Sequence, residues 1–200
     1  EALFTVDGNH NAVAGSYTAT LTITAKTNTG VTFVDDTVVY DGAEHSLYVG
    51  GDASGIVGVS YEYVLDGVKV SDKGAVNAGE YTVTARFETA EGYTAIADKQ
   101  AKLTITKAIL TITAKNGAVE YGAEASADGY GYTVTGLALA DDADAVLGAV
   151  AYSYDYSAGD NVGEYTVTVT GAAQTDNYSV TYKTGKLIVS PKTLTENDVV

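Results

Sequence analysis

The sequence predicts an all-β fold of tandem, elongated β-sandwich repeats set end to end. Three observations carry that prediction: the residue types, the alternation along successive runs, and a set of landmarks that occurs twice. Val, Thr and Tyr dominate, with 16 tyrosines and a single proline, Pro191. Branched and aromatic side chains suit a pleated, half-buried surface, so this is strand composition. Hydrophobic residues make up 46% of the chain against 18% charged, which is enough apolar material for a packed core.

Self-comparison sets the organisation. At the start, Phe4 through Ile23 parallels Phe87 through Ile105, so residues 1–28 read as the C-terminal part of a preceding repeat. The alternative matches Ala14-Gly15-Ser16-Tyr17-Thr18 to a later Gly-Glu-Tyr-Thr block and makes the segment extra N-terminal strands. Residues 29–107 form the first complete repeat and 108–191 the second. Tyr40-Asp41-Gly42-Ala43-Glu44 returns as Tyr121-Gly122-Ala123-Glu124, and Val59-Ser60-Tyr61-Glu62-Tyr63 as Val150-Ala151-Tyr152-Ser153-Tyr154. Asn77-Ala78-Gly79-Glu80-Tyr81-Thr82-Val83-Thr84 returns as Asn161 through Thr168 with one change, and Gly92-Tyr93-Thr94 as Asn177-Tyr178-Ser179. The closing strands are Lys102 through Lys107 and Lys186 through Pro191, and residues 192–200 start a following segment. No linker separates the repeats: Thr106-Lys107-Ala108-Ile109-Leu110 passes directly from one to the next, which predicts a semi-rigid rod.

Alternation assigns the faces, because successive side chains of a strand point to opposite sides. Val59, Tyr61, Tyr63 and Leu65 share one face, and so do Val150, Tyr152, Tyr154 and Tyr156, and Tyr81, Val83, Ala85 and Phe87. The tyrosines therefore belong to the core, with hydroxyls reaching the rim. Tyr81 and Tyr165 follow a Gly-Glu turn and begin a strand, as corner tyrosines of immunoglobulin-like sandwiches do. Threonines fill the opposite faces, as in Thr82 and Thr84 or Thr166, Thr168 and Thr170, and β-propensity accounts for them. One segment departs from strand chemistry. Asp141 through Leu147 has a capping acid before helix formers and predicts a short helical turn, so a β-grasp-like unit with one short helix is the alternative fold.

The chemistry of enzymes is missing from the pattern. The net charge of -15 repels phosphate backbones and anionic lipid, which argues against nucleic acid as a partner. Without cysteine there are no disulfides, thiolates or zinc-thiolate sites. The two histidines, His10 and His45, lie on different segments and read as surface residues, so no catalytic set is expected and the chain reads as non-enzymatic. Glu80 and Glu164 hold the same place in each repeat and read as turn residues. No phosphate loop occurs, and no cofactor is expected. No apolar run approaches the roughly 20 residues needed to cross a bilayer, so membrane insertion is not expected. Asp141, Asp142 and Asp144, with the pair Asp35 and Asp36, are weak calcium candidates, since none has the spacing of a calcium loop. Lys102 and Lys186 are the candidates for an isopeptide cross-link.

These landmarks resemble the MBG-type repeats of bacterial cell-surface proteins. Residues 29–107 resemble the form with Val31-Thr32-Phe33 and Tyr40-Asp41-Gly42-Ala43-Glu44-His45-Ser46-Leu47; residues 108–191 resemble the Tyr-Gly form, here Leu110 through Lys115 leading to Tyr121-Gly122. The resemblance implies an extracellular place, at the bacterial surface or cell wall, and no shared catalytic residues. It implies stalk or spacer repeats of an adhesin that present a distal binding region and contact neighbouring repeats. The alternatives are an adhesive module that itself binds host glycan, mucin or matrix protein, and an accessory module of a secreted polysaccharide-active enzyme.

Overall fold

The computed structural model describes residues 18–138 and 141–194. The parallel of Phe4 through Ile23 therefore falls largely outside the described residues, as do His10, the block Ala14 through Tyr17 and residues 195–200. Fourteen strands and one short helix are described, and the fold is all-β. In chain order the first seven strands are β1 Val31–Thr32, β2 Asp36–Val39, β3 Gly50–Gly51, β4 Ile56–Leu65, β5 Val68–Ser71, β6 Gly79–Thr89 and β7 Lys99–Thr106. The rest are β8 Ala108–Ala114, β9 Gly117–Glu120, β10 Tyr132–Thr135, α1 Ala143–Leu147, β11 Ala151–Tyr154, β12 Gly163–Thr170, β13 Tyr178–Lys183 and β14 Gly185–Ser190.

The pairing repeats as the sequence does. A five-stranded sheet runs β2-β7-β6-β4-β5, and its later counterpart runs β9-β14-β12-β11. In each, the outer strand lies parallel to the closing strand, β2 on β7 and β9 on β14, while the other neighbours are antiparallel. Tyr81 faces Leu103 and Tyr165 faces Leu187, so the registers of the two copies coincide. The second layer is β10-β8-β13 in the later copy and the β1-β3 pair in the earlier one. Lys26 forms a parallel bridge to Tyr93 where Ala108 pairs with Tyr178. Each copy thus starts in one layer and crosses to the other. Asp35 Oδ1 braces the crossing by accepting from the Lys102 amide at 2.7 Å, and Asn116 Oδ1 does the same for the Lys186 amide at 2.8 Å.

Alternation drives the two layers together. Along β8, Ala108, Leu110, Ile112 and Ala114 are buried while Ile109 is exposed; along β14, Leu187 and Val189 turn inward. They meet Val167, Val169 and Tyr178, and in the earlier copy Tyr63, Tyr81, Val83, Leu103 and Ile105 fill the same space. Burying a leucine or valine side chain is worth about 1.5–3 kcal/mol, so these inward rows are the main source of stability. This is a two-layer β-sandwich. The predicted helical turn is present as α1, where Asp142 Oδ1 accepts from the Ala145 amide at 2.9 Å. It lies in the connection between β10 and β11, whereas a β-grasp lays its helix across a single sheet, so that alternative is set aside.

Candidate functional site

The feature that distinguishes this chain from two unrelated sandwiches is the place where the copies meet. One residue, Lys107, separates β7 from β8, and its Nζ donates to the Thr175 carbonyl at 2.5 Å. Tyr40 leaves β2 with its amide bonded to the Thr106 carbonyl at 2.9 Å. Its ring meets that of Tyr178 edge-on, with centroids 5.3 Å apart. Both hydroxyls converge on one oxygen, Asp141 Oδ2, donating at 2.9 Å from Tyr40 and 2.5 Å from Tyr178. The Tyr178 hydroxyl also accepts from the Ala138 amide at 3.0 Å. Beside them Asn177 Oδ1 accepts from the Ala78 amide at 2.9 Å, and Asn177 Nδ2 donates to Asn77 Oδ1 at 3.1 Å. Burial, and then the adjacent carboxylate, push the Tyr178 phenol up to about 12; the same two causes raise Tyr40. A carboxylate receiving two phenols is a charge-assisted arrangement, stronger than neutral hydrogen bonds.

The acidic candidates for calcium are spent separately. Asp141 holds the two tyrosines, Asp142 caps α1, and Asp144 Oδ1 accepts from the Tyr132 hydroxyl at 2.8 Å. Asp35 does what the neutral Asn116 does at the same place, so no cation is needed there, and Asp36 Oδ1 accepts from the Thr37 amide. Among the described residues no cluster of three His, Cys, Asp or Glu side chains forms a metal site. Glu80 and Glu164 are strand residues rather than turn residues, each paired across the sheet with a lysine: Lys102 Nζ at 2.6 Å and Lys186 Nζ at 2.7 Å. Those lysines are exposed and face glutamates, not the asparagine or aspartate an isopeptide requires. His45 is half-buried, with Nε2 2.9 Å from Asp41 Oδ1, and that contact helps hold the Asp41 carboxyl below the usual range, after the Ala43 amide.

The tyrosine hydroxyls tie loops to sheets. Tyr81 donates to the Asn77 carbonyl at 2.8 Å and Tyr165 to the Asn161 carbonyl at 2.7 Å, four residues upstream in each case, which is the corner geometry expected of them. The Leu47 amide donates to Tyr63, and Tyr154, Tyr156 and Tyr182 donate to the carbonyls of Ser126, Ala123 and Ala172.

A second surface is confined to the earlier copy. The outer face of its five-stranded sheet carries a depression of about 630 Å³ lined by Glu62, Val64, Gly67, Thr82, Thr84, Arg86, Asp98 and Gln100. Arg86 lies 3.3 Å from Glu62 and 3.4 Å from Asp98, and Gln100 donates to Thr84 Oγ1 at 3.2 Å. In the later copy Ser153 and Thr170 stand at the places of Glu62 and Arg86.

With two copies of one sandwich and a fastened junction described, comparison with known proteins identifies the later copy. Residues 110–188 match the family model of the MBG domain, YGX type. The resemblance read from Tyr121-Gly122 therefore holds for this segment. No curated protein matches the chain. Among solved structures, the Drosophila N-cadherin EC1-4 crystal structure is 8% identical with a TM-score of 0.31, over 82% of this chain and 50% of that one. The I9-I11 tandem from titin is 15% identical with a TM-score of 0.27, over 80% of this chain and 65% of that one. This chain thus spans about half to two thirds of those structures, and the fold assignment rests on the sheets themselves. Among the described residues no helix is long and apolar enough to cross a membrane.

The junction was not foreseen. Its signal was the changing spacing of the landmarks: the Val-x-Tyr-x-Tyr block recurs 91 positions later, from Val59 to Val150, whereas Tyr40 recurs 81 later at Tyr121. The MBG segment therefore holds an insertion, and Asp141 and α1 lie in it.

Proposed function

We propose that this chain is a non-enzymatic spacer of a bacterial surface adhesin, with repeats at 29–107 and 108–191 holding a distal binding region away from the cell. The observation that carries this reading is the junction: a one-residue connection clamped by Asp141 between Tyr40 and Tyr178, and by Asn177 on Asn77 and Ala78. A spacer has to transmit position, and a clamped connection does so where a flexible linker would not. Small-angle scattering tests it. The chain should scatter as one particle of fixed dimensions, and Asp141→Ala with Asn177→Ala should broaden its distance distribution. A broad distribution in the unaltered chain would refute the spacer reading.

A second reading, direct adhesion, is favoured by the depression around Arg86, whose paired charges, amide and hydroxyls suit a polyhydroxylated ligand such as host glycan or mucin. Most tyrosines contribute nothing to it, because their hydroxyls are already bonded within the fold. On a glycan and mucin array this reading expects saturable binding that is lost with Arg86→Ala; a blank array rejects it.

A further inference from the structure

The junction supplies a template that can be laid on the other end of the MBG segment. Tyr121 stands where Tyr40 does, its amide bonded to the Ser190 carbonyl at 2.8 Å as that of Tyr40 is bonded to Thr106. Asn161 stands where Asn77 does, its carbonyl receiving the corner tyrosine in the same way, and Val162 takes the place of Ala78. The backbone is thus set identically, yet the surroundings differ. Tyr40 is 7% exposed under Tyr178, whereas Tyr121 is 46% exposed and Val162 50%. The chain beyond also repeats: Leu194-Thr195 follows Ser190 at the spacing at which Leu110-Thr111 follows Thr106, and Leu194 is 71% exposed where Leu110 is fully buried.

We propose that the end of the MBG segment formed by Tyr121, Asn161 and Val162 is the docking face for a following module of the same kind. That module would bring a tyrosine and a carboxylate from an inserted loop onto Tyr121, and an asparagine side chain onto Asn161 and the Val162 amide. It would also supply the layers that cover Leu194. The partner is not a second copy of this chain. The matching face of the MBG segment is already taken by Tyr40, and the start of the earlier copy has only the short turn from Asp52 to Gly55 where Asp141 and α1 would be needed. Docking of this type is head to tail and has a direction.

The proposal rests on the spacer reading, and one experiment separates their failures. A copy of residues 108–194 carrying Tyr121→Phe, so that the original Tyr121 stays unique by mass, is appended after Pro191, and tyrosine nitration by tetranitromethane is mapped by peptide mass. In the 200-residue chain Tyr121 should react several-fold faster than Tyr40. In the extended chain Tyr121 should slow to the rate of Tyr40, and Asp141→Ala made only in the added copy should restore its reactivity. If Tyr121 stays reactive in the extended chain while Tyr40 is protected, docking is wrong and the junction stands. If Tyr40 reacts as fast as Tyr121 in the 200-residue chain, the clamped junction fails and docking fails with it. Protection of Tyr121 that survives Asp141→Ala overturns the carboxylate as the recognition group.

Discussion

The two copies share a frame and differ in what is hung on it. Both have the outer strand parallel to the closing strand, the side-chain brace at the crossing, the corner tyrosine and the exposed Lys–Glu pair. The earlier copy alone adds the β4-β5 hairpin, turned by Asp66-Gly67 with both residues at positive φ, and the charged depression. The later copy alone adds the loop with α1 and Asp141. Positions present twice therefore serve the fold, and the segments present once are where particular tasks reside. That rule separates Asp35, matched by Asn116 and so structural, from Asp141, which has no counterpart and makes a contact.

The largest effects should come from the shared core and should be equal in the two copies. Leu103 and Leu187 are both almost fully buried opposite the corner tyrosines. Leu103→Ala and Leu187→Ala should each cost about 2–5 kcal/mol, as truncated core leucines do, measured by urea unfolding. If one substitution costs several times the other, the two sandwiches are not energetically alike.

Next comes the junction, where the copies cease to be equivalent. Asp141→Ala removes the acceptor of two phenols and should cost about 2 kcal/mol, and it should split a single unfolding transition into two. Alkali probes the same contact. The Tyr178 phenol, with an ordinary pKa near 10 when unfolded and about 12 when folded, loses its proton first in the unfolded chain as pH rises. Stability from Tyr178 is therefore complete below about pH 10 and is lost as pH climbs to about 12. Phenolate absorbance should show Tyr178 ionising late, and earlier in Asp141→Ala. Ionisation of every tyrosine near 10 would contradict the buried contact.

How much of this was legible follows from the same division. The strand faces could be read because burial on one side imposes a period of two: Tyr63, Tyr81 and Val83 fall where alternation puts them. The corner tyrosines were legible because a local hydrogen bond needs only nearby sequence. Tyr40, Asp141 and Tyr178 were not, since each is unremarkable in its own segment and their meeting depends on how two sandwiches abut. Glu80 and Glu164 were misplaced as turn residues because Gly79 and Gly163 read as punctuation, yet both glycines already pair with the closing strand. The insertion was written in the offsets, which go from 81 at Tyr121 to 91 at Val150 and back to 84 at Tyr165. The second change marks the hairpin that the later copy lacks.

The corner tyrosines sharpen the comparison further. Tyr81→Phe and Tyr165→Phe remove the same hydrogen bond, but Tyr81 is 3% exposed and Tyr165 only half-buried. A carbonyl left without its donor costs more when water cannot replace it. Tyr81→Phe should cost about 1–2 kcal/mol and Tyr165→Phe clearly less, by thermal unfolding. Equal costs would mean that water reaches both corners alike.

The smallest effect should be found at the most visible repeat of all. Lys102–Glu80 and Lys186–Glu164 are short and identically placed, yet every partner is more than half exposed: 55% and 62% in one pair, 61% and 59% in the other. Solvent screens such pairs, and fixing two long side chains offsets the remaining attraction, so exposed ion pairs are usually worth under about 1 kcal/mol. Lys102→Met and Lys186→Met should each leave the unfolding midpoint close to that of the unaltered chain. A large loss at either lysine would require a bond stronger than an ion pair. Intact mass decides that point, because an isopeptide releases ammonia or water and a salt bridge releases nothing. The expected mass is that of the unmodified chain, which would leave the two lysines as solvated charges on the inner strands β7 and β14.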